Sequence, residues 1–369
     1  MTTELIVAPP VTGKTSACIQ RIQAMRTDRP LAHIWVVVPD RLQAAAFRRR
    51  LAGSGGALGT YVGTFGDLYR SILERSGTYV PVASSPLLHR LVQETVDRAV
   101  EQGDLSHFAP LQLLPGFILA LRESFAELKR SLVYPEQFLD FSRSGSAAQK
   151  DLAVLYSLYQ ARLRELNWAD PEGISWLAVA ALERQSSAAA SIHFLVVDGF
   201  DSFNGAQYQA LKMLSQQVGD LLITFPGRIG SQRPAHRRFT ESIEILIREL
   251  SPRITTLDLS PYLPSDLRHI ESQLFEAEIS AIQTADQPIL LEARSPADEA
   301  RDALRWIKSL VVRKNVPLSS CMIFTPNPTV YHPLLRACAN VFGIPIRFTQ
   351  DEPLSNSPAI TALLNLITA

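Results

Sequence analysis

The sequence predicts an α/β protein whose strands form a largely parallel sheet, and three patterns support that prediction. Apolar runs of strand length alternate with stretches of helical periodicity, as expected where strands are buried on both faces of a parallel sheet. The first apolar run leads into a Gly-Lys-Thr turn that is followed by a helical stretch. A long middle region shows helical periodicity alone, which predicts an all-helical insertion between two strands.

The composition is that of an ordinary soluble globular protein. Hydrophobic residues make up 46% of the 369 residues and charged residues 20%, while Lys+Arg and Asp+Glu are balanced at 36 each. Because the net charge is zero, a nucleic-acid site would have to be local. The 3 cysteines are too few and too scattered for a disulfide framework or a metal cluster. With no signal peptide and no apolar run of membrane-spanning length, we expect a cytoplasmic protein without membrane contact.

The first predicted strand, residues 5–7, leads into a candidate phosphate-binding loop. The loop residues are Ala8, Pro9, Pro10, Val11, Thr12, Gly13, Lys14 and Thr15. In such a loop the backbone N–H groups and the next helix N-terminus bind the phosphates of ATP. The lysine neutralises the β- and γ-phosphates, and the threonine hydroxyl ligates Mg²⁺. Ala8 stands where the motif has its first glycine. The alternative is a chance strand, loop and helix with a surface lysine.

Two more strands are predicted before residue 84. Residues 34–38 form an unbroken apolar run, and Asp40 is placed to cap the helix that follows. That helix carries the first basic cluster, which includes Arg41. Residues 61–65 predict a short strand that ends in a polar turn, and residues 67–76 predict the next helix.

Residues 84–185 carry the all-helical insertion. The predicted helices span residues 87–101, 114–132, 147–166 and 174–184. In the third of them, Leu152, Leu155, Tyr156, Tyr159 and Leu163 form one apolar stripe. Such a stripe indicates packing into a core rather than contact with a ligand.

The sheet is predicted to resume after the insertion. Residues 192–197 predict a strand that ends at Asp198, and residues 220–225 predict the strand after it. Residues 227–238 hold 4 arginines and little apolar content, so we expect an exposed basic loop there. Residues 260–287 predict a polar linker with one amphipathic helix.

A second α/β unit is predicted from residue 288. Strands are expected at residues 289–293, at 321–324 and from 344, with helices over 297–312 and 331–342. The apolar stretch over 358–368 ends without a helix cap, so we expect the chain to stop inside a longer protein.

Four segments follow from these patterns. The predicted organisation is a first domain at residues 1–83 with 186–259, a helical insertion at 84–185, a linker at 260–287, and the start of a second, truncated domain at 288–369.

Asp198 supplies the second half of the candidate nucleotide site. An aspartate that closes a buried strand of the same sheet can hold Mg²⁺ through its water shell, opposite Thr15. The alternative is an ordinary strand-end aspartate in a turn. We therefore predict a metal site made by Thr15 and Asp198 beside a nucleotide on the loop.

The segments from the loop to Asp198 follow one another in a particular order. The loop precedes Val38-Pro39-Asp40, then Val62-Gly63-Thr64-Phe65, the helical insertion and Val197-Asp198-Gly199-Phe200. This order resembles the superfamily 1 helicases of the UvrD/Rep type. The stretch from Asp198 to Phe203, followed by Gln207-Tyr208, is similar to the AddB component of the bacterial AddAB helicase–nuclease. The resemblance implies a P-loop (RecA-like) domain with a helical insertion, and residues 323–348 resemble the start of a second RecA-like domain.

The resemblance also implies partners and DNA contacts. It implies single-stranded and double-stranded DNA, an AddA-like partner subunit, and a role in double-strand break repair and recombination. In motor relatives the turn at Thr64 donates to a phosphate, and an exposed aromatic such as Phe65 can stack on a base. The alternative for Phe65 is packing in the core. Arg41 is the third candidate for DNA contact, and a nuclease domain with an iron–sulfur cluster is expected beyond residue 369.

Departures from the family predict weak ATP hydrolysis. Working motors place a glutamate directly after the Mg²⁺ aspartate to activate water, where this chain has Gly199. The segment Pro226-Gly227-Arg228-Ile229 lacks the expected glutamine, and no arginine lies close to Phe324. We expect a nucleotide-binding, DNA-binding, motor-like subunit with little or no ATPase activity of its own.

Three alternatives remain open at this point. An active superfamily 1 ATP-dependent DNA helicase would need Asp201, or a side chain of a partner, to replace the missing base. A small-molecule kinase on the same loop would leave the second α/β unit unexplained. A purely structural DNA-binding subunit would carry the loop as a relic.

Overall fold

The computed structural model describes residues 2–56, 58–185, 187–259, 263–283, 288–349, 354 and 357–368. The chain divides into two compact units, Met1–Ile282 and Gln283–Ala369. The first unit holds a parallel sheet with helices on both faces, and the second holds helices and extended segments. None of the helices in these ranges is long and apolar enough to cross a membrane.

Six strands form one sheet in the first unit. They are β1 (Thr2–Ala8), β2 (Ile34–Val37), β3 (Thr60–Gly63), β4 (Phe194–Val197), β5 (Asp220–Pro226) and β6 (Arg253–Thr256). Their spatial order is β3-β2-β4-β5-β1-β6, and every neighbouring pair is parallel. The structure therefore confirms the predicted α/β class, in an arrangement consistent with a RecA-like fold.

Helices cover both faces of this sheet. The helices of the first unit are α1 (Lys14–Asp28), α2 (Arg41–Gly53), α3 (Phe65–Arg75), α4 (Ser85–Glu101), α5 (Pro115–Arg130), α6 (Pro135–Ser142), α7 (Ala147–Glu165), α8 (Pro171–Arg184), α9 (Gly205–Ser215), α10 (Pro234–Leu250) and α11 (Ser265–Gln273), with a short 3₁₀ turn at Ala109–Leu111. Along β1, Leu5 and Val7 enter the core under α3, α8, α9 and α10, whereas Ile6 enters the core under α1 and α2. Because alternate side chains enter two cores, the inner strands β2 and β4 are apolar and buried at every position.

The carboxyl ends of the strands meet at one edge of the sheet. Ala8 pairs with Pro226, and Val37 pairs with both Gly63 and Val197. The loop after β1, the turn after β3 and the residue after β4 therefore share this edge. Ligands of open parallel sheets bind beyond the carboxyl ends of the strands.

Residues 84–185 are helical, and no strand interrupts the part of them that is described. Helices α4, α5 and α7 enclose a core that includes Leu91, Phe125 and Tyr156. Helix α8 joins this bundle to the sheet, because Trp176 lies in the bundle core and Leu182 in the core of the sheet. The exact domain boundaries remain a prediction.

A buried ion pair ties the helices of the bundle together. The Lys129 ammonium is fully buried and donates to Asp170 at 2.6 Å, and the Tyr159 hydroxyl donates to the same carboxylate at 2.8 Å. The other oxygen of Asp170 accepts from the backbone N–H of Gly173 and so caps α8. Every charge is thus paired and hydrogen-bonded, as burial of charged groups requires.

The second unit contains α12 (Pro296–Lys314), a 3₁₀ turn at Leu318–Ser320, α13 (Pro328–Phe342) and α14 (Pro358–Thr368). The strands predicted at residues 289–293, 321–324 and 344–348 are wrong, since none of these segments pairs with another strand in the described residues. Alternate side chains still behave as in a strand: Ile323 packs on the α12–α13 core, while Phe324 is 86% exposed. The apolar pattern reports one-sided burial, whereas a strand also requires a hydrogen-bonded neighbour.

One helix boundary and one strand of the first unit also differ from the sequence prediction. The exposed basic loop ends at Arg233, because Pro234 begins α10 and the remaining arginines are helical. This helix forms because Ile243 and Leu246 bury an apolar face on the sheet. The apolar pattern does not predict strand β6, since its residues are mostly exposed and include Arg253 and two threonines.

Candidate functional site

The candidate phosphate-binding loop leaves β1 at the carboxyl edge of the sheet. Gly13 has φ +88° and stands directly before α1, a conformation that glycine adopts without steric penalty. The Thr12 hydroxyl donates to the Pro9 carbonyl at 2.9 Å and closes the turn. Ala8 is buried as the last residue of β1 and is not among the residues with positive φ, so its methyl group fits where the motif has glycine.

Lys14 folds back over the loop. Its ammonium donates to the Ala8 carbonyl at 2.8 Å and to the Pro9 carbonyl at 2.6 Å. Desolvation lowers the pKa of Lys14, while the nearby Asp198 carboxylate opposes that shift. A phosphate oxygen is a stronger partner than a carbonyl for an ammonium, since both groups are charged. The ammonium thus has weak partners that a phosphate can replace.

Thr15 and Asp198 meet across the site, although 183 positions separate them in the chain. The Thr15 hydroxyl donates to one Asp198 carboxylate oxygen at 2.8 Å. The other oxygen accepts from the Thr224 hydroxyl, and the Asp198 backbone N–H donates to the Val37 carbonyl at 3.0 Å. Asp198 is only 4% exposed, so both carboxylate oxygens have fixed partners.

A third residue of this cluster, Thr224, is not predicted from the sequence. This residue is 1% exposed and lies in β5, the strand between β1 and β4. Its signal in the sequence is a single hydroxyl inside the apolar run from Leu221 to Phe225. A buried hydroxyl in such a run needs a hydrogen-bond partner, and here that partner orients Asp198.

The oxygens of Thr15 and Asp198 fit a Mg²⁺ site. They lie 2.8 Å apart, close to the separation of adjacent corners of an octahedron with ligands at about 2.0–2.1 Å. No group of three or more His, Cys, Asp or Glu residues in the described part of the chain is placed to hold a metal. A Mg²⁺ ion bound here would therefore need phosphate oxygens and water as its remaining ligands.

The residue after Asp198 is a glycine in a left-handed backbone conformation. Gly199 has φ +87°, and a Cβ built on it would lie 2.5 Å from Oε1 of Gln43 and 3.4 Å from Cδ of Pro39. The next acid along the chain, Asp201, is exposed and forms an ion pair with Arg238. Neither residue offers a free carboxylate directed at the Thr15–Asp198 pair.

The candidate DNA residues lie near the same edge but differ in exposure. Arg41 is exposed at the start of α2. Thr64 caps α3, because its hydroxyl and its backbone N–H both donate to Asp67 at 2.9 Å. Phe65 is 5% exposed and packs edge-on against Phe200 at 5.3 Å between ring centroids. Stacking of a base on Phe65 does not fit this structure, because the ring is in the core.

The parallel sheet, the Gly-Lys-Thr loop on β1 and the aspartate at the end of β4 define an α/β protein of the RecA-like class. Residues 5–248 match the family described as ADDB, N-terminal. The match covers more than half of the chain, so the chain belongs to this family.

Relatives of the chain share one description. Similar proteins of Exiguobacterium sibiricum and Moorella thermoacetica are both named as the B subunit of an ATP-dependent helicase/deoxyribonuclease. The first is 27% identical over 223 residues, covering 58% of this chain and 19% of the relative. The second is 24% identical over 398 residues, covering 98% of this chain and 33% of the relative. The chain therefore spans a third or less of the length of these relatives.

Proposed function

We propose that the loop from Ala8 to Thr15 binds ATP together with Mg²⁺, and that this binding is accompanied by little or no hydrolysis. The observation that carries the proposal is the hydrogen bond between Thr15 and Asp198, which joins the loop to the strand-end carboxylate. If the loop were a chance turn with a surface lysine, a hydrogen bond between Thr15 and the buried Asp198 would not be expected.

Each residue of the site has a definite task in this proposal. Lys14 exchanges the Ala8 and Pro9 carbonyls for phosphate oxygens. Thr15 and Asp198 hold the metal, and Thr224 keeps the Asp198 carboxylate in one orientation. When bound, Mg²⁺ supplies positive charge to the phosphates.

Weak hydrolysis follows from what stands beside these residues. Activation of the attacking water needs a base, and Gly199 provides none, while Asp201 is engaged by Arg238. The glutamine expected after Phe225 and the arginine expected near Phe324 are absent from those positions in the sequence. An arginine of that kind contributes factors of about 10³–10⁵ in rate.

We further propose that the chain is the N-terminal, motor-like part of a subunit that binds DNA in a helicase–nuclease complex. The shared name of the relatives supports this proposal, as does membership of the family. Single-stranded DNA would contact Arg41 and Thr64 at the carboxyl edge of the sheet. An AddA-like partner protein, a cytoplasmic location and a role in double-strand break repair and recombination belong to the same proposal.

Thermal melting with and without Mg-ATP tests the nucleotide proposal. ATP at a hundredfold excess over its dissociation constant should stabilise the parent chain by about 2.7 kcal/mol, and Lys14→Ala should abolish this shift. Arg21→Ala is the matched control, since it removes an exposed cation from the same helix. If Lys14→Ala still melts later with Mg-ATP as the parent does, the nucleotide binds elsewhere.

A further inference from the structure

A cleft separate from the phosphate-binding loop lies between the segment after β5 and helix α10. It has a volume of about 300 Å³. One wall is apolar and contains Ile229, Ile243 and Ile247, while Arg228 and Arg237 contribute cations. A volume of this size is at the lower end of the range for small-molecule sites, about 300–1,000 Å³.

The two arginines of the cleft have no ion-pair partner among the described residues. Their neighbours do: Arg233 pairs with Glu271 and Glu276, and Arg238 pairs with Asp201. Glu244 is the one acid that lines the cleft. The cleft therefore carries more positive than negative charge, and its guanidinium donors are available to a ligand.

The segment that carries Arg228 is held in place by its own contacts. Gly227 has φ +113° and approaches α10 so closely that a Cβ would lie 3.3 Å from Ile243 and from Phe239. The Ser231 hydroxyl lies 2.9 Å from Nδ1 of the buried His236. Arg233 anchors the same segment to α11 through Glu271. These contacts hold the backbone of the segment, so a ligand has mainly the exposed Arg228 and Arg237 side chains to order.

The cleft lies at the ligand-binding edge of the sheet but shares no residue with the loop from Ala8 to Thr15. Pro226 pairs with Ala8, so the segment that begins at Gly227 leaves the sheet beside that loop. The lining residues all lie between 228 and 247. A ligand in the cleft thus has its own binding groups, independent of Lys14.

We propose that this cleft binds a nucleotide through its phosphate. Two guanidinium groups match a phosphate, since each can donate two parallel hydrogen bonds to its oxygens. The isoleucine wall then covers the sugar or the base. The nucleotide has two possible sources, a free mononucleotide or one unit of single-stranded DNA. The inference does not depend on ATP binding at the loop.

Two probes distinguish these sources. Adenosine 5′-monophosphate lacks the β- and γ-phosphates that Lys14 would bind, and an oligothymidylate presents phosphodiesters. Binding of each is measured for the parent, for Arg228→Ala/Arg237→Ala, for Lys14→Ala and for Arg248→Ala. The last variant removes a cation from α10 that does not line the cleft.

We expect Arg228→Ala/Arg237→Ala to lower the affinity for at least one probe tenfold or more. The affinities of Lys14→Ala and Arg248→Ala for that probe should equal that of the parent. A lower affinity for the monophosphate identifies a free nucleotide as the ligand. A lower affinity for the oligothymidylate alone identifies DNA as the ligand. Affinities that fall by less than tenfold for both probes overturn the proposal. The proposal also fails if the arginine double variant binds the monophosphate as tightly as the parent does while Lys14→Ala no longer binds it. In that case the monophosphate is bound by the loop from Ala8 to Thr15.

Discussion

The residue after Asp198 shows how one backbone conformation limits the chemistry of this site. At φ +87°, any residue with a Cβ is strained, and the exposed Gln43 side chain would also have to move aside. A glutamate at position 199 therefore does not simply restore the base of a working motor. The absence of a side chain at position 199 and the left-handed turn after β4 belong to one local structure.

Gly199→Glu tests that local structure. We expect it to lower stability by about 1–2 kcal/mol because of the positive φ, and Gly199→Ala should show a similar loss. Adding Gln43→Ala to Gly199→Glu removes the contact between the two side chains. We expect the double variant to show at most a small, DNA-independent ATP turnover. Chemical denaturation and phosphate release measure the two effects. If Gly199→Ala is as stable as the parent, the backbone at this position does not need glycine.

At the scale of elements, the helical bundle depends on a carboxylate that binds a loop. Asp151, in α7, is 3% exposed and accepts hydrogen bonds from the backbone N–H groups of Ser106, His107 and Phe108. Burial alone would raise the pKa of Asp151, but these N–H groups outweigh it and hold the pKa below its usual value. The connection between α4 and α5 is thus attached to α7 by an ionised side chain.

The depressed pKa sets the direction of a pH dependence. Asp151 contributes stability above its unfolded pKa of about 3.9, and that contribution is lost as the pH falls through the lower folded pKa. Asp151→Asn should lose about 1–3 kcal/mol at neutral pH, with the difference from the parent shrinking below about pH 4. Melting temperatures across pH measure this, with the exposed Asp104→Asn as control. A difference that stays constant down to pH 2 would contradict the assignment.

How far the elements can be predicted depends on whether their pattern is local. The sequence predicts Asp40 as the cap of α2, and its side chain does accept from the N–H of Gln43 at 2.8 Å, because capping involves neighbours in sequence. The apolar pattern places Phe65 at a strand end, yet this residue begins α3 and packs on Phe200, a contact that spans the whole insertion. The strand predictions in the second unit fail for the same reason, since pairing is not contained in the local pattern.

The residues of the candidate site can likewise be predicted where their pattern is local, whereas their contacts cannot. The loop and Asp198 are each visible as a motif at the end of an apolar run. Their contact, and the part played by Thr224, depend on β5 lying between β1 and β4 in the sheet. The order of strands does not follow from the sequence of apolar runs, so the third member of the cluster becomes apparent only in the fold.

At the scale of the whole molecule, the carboxyl edge of the sheet brings the candidate DNA residues to the side that carries the loop. Arg41 begins α2 and Thr64 caps α3, so both lie at this edge. Arg49 lies on the same helix as Arg41 but two turns further from the edge. This contrast gives a matched pair of cations for testing the DNA path.

Arg41→Ala/Thr64→Ala should lower the affinity for single-stranded DNA and flatten its dependence on salt. Each lost phosphate contact should reduce the slope of log K against log salt by about 0.7. Arg49→Ala should leave the slope unchanged. Because Thr64 also caps α3, a melting curve must accompany the titration, with a loss of about 1 kcal/mol expected. An unchanged slope in the double variant would rule out this path.

We propose above all that the chain binds ATP without turning it over efficiently. The most direct test is steady-state phosphate release by the parent chain, saturated with Mg-ATP, with and without single-stranded DNA, against Lys14→Ala as background. We predict that ATP binds the parent and that release does not exceed the Lys14→Ala background. Release that depends on Lys14 and proceeds at about 1–100 s⁻¹, the rate of ordinary phosphoryl-transfer enzymes, would contradict the claim and establish an active motor.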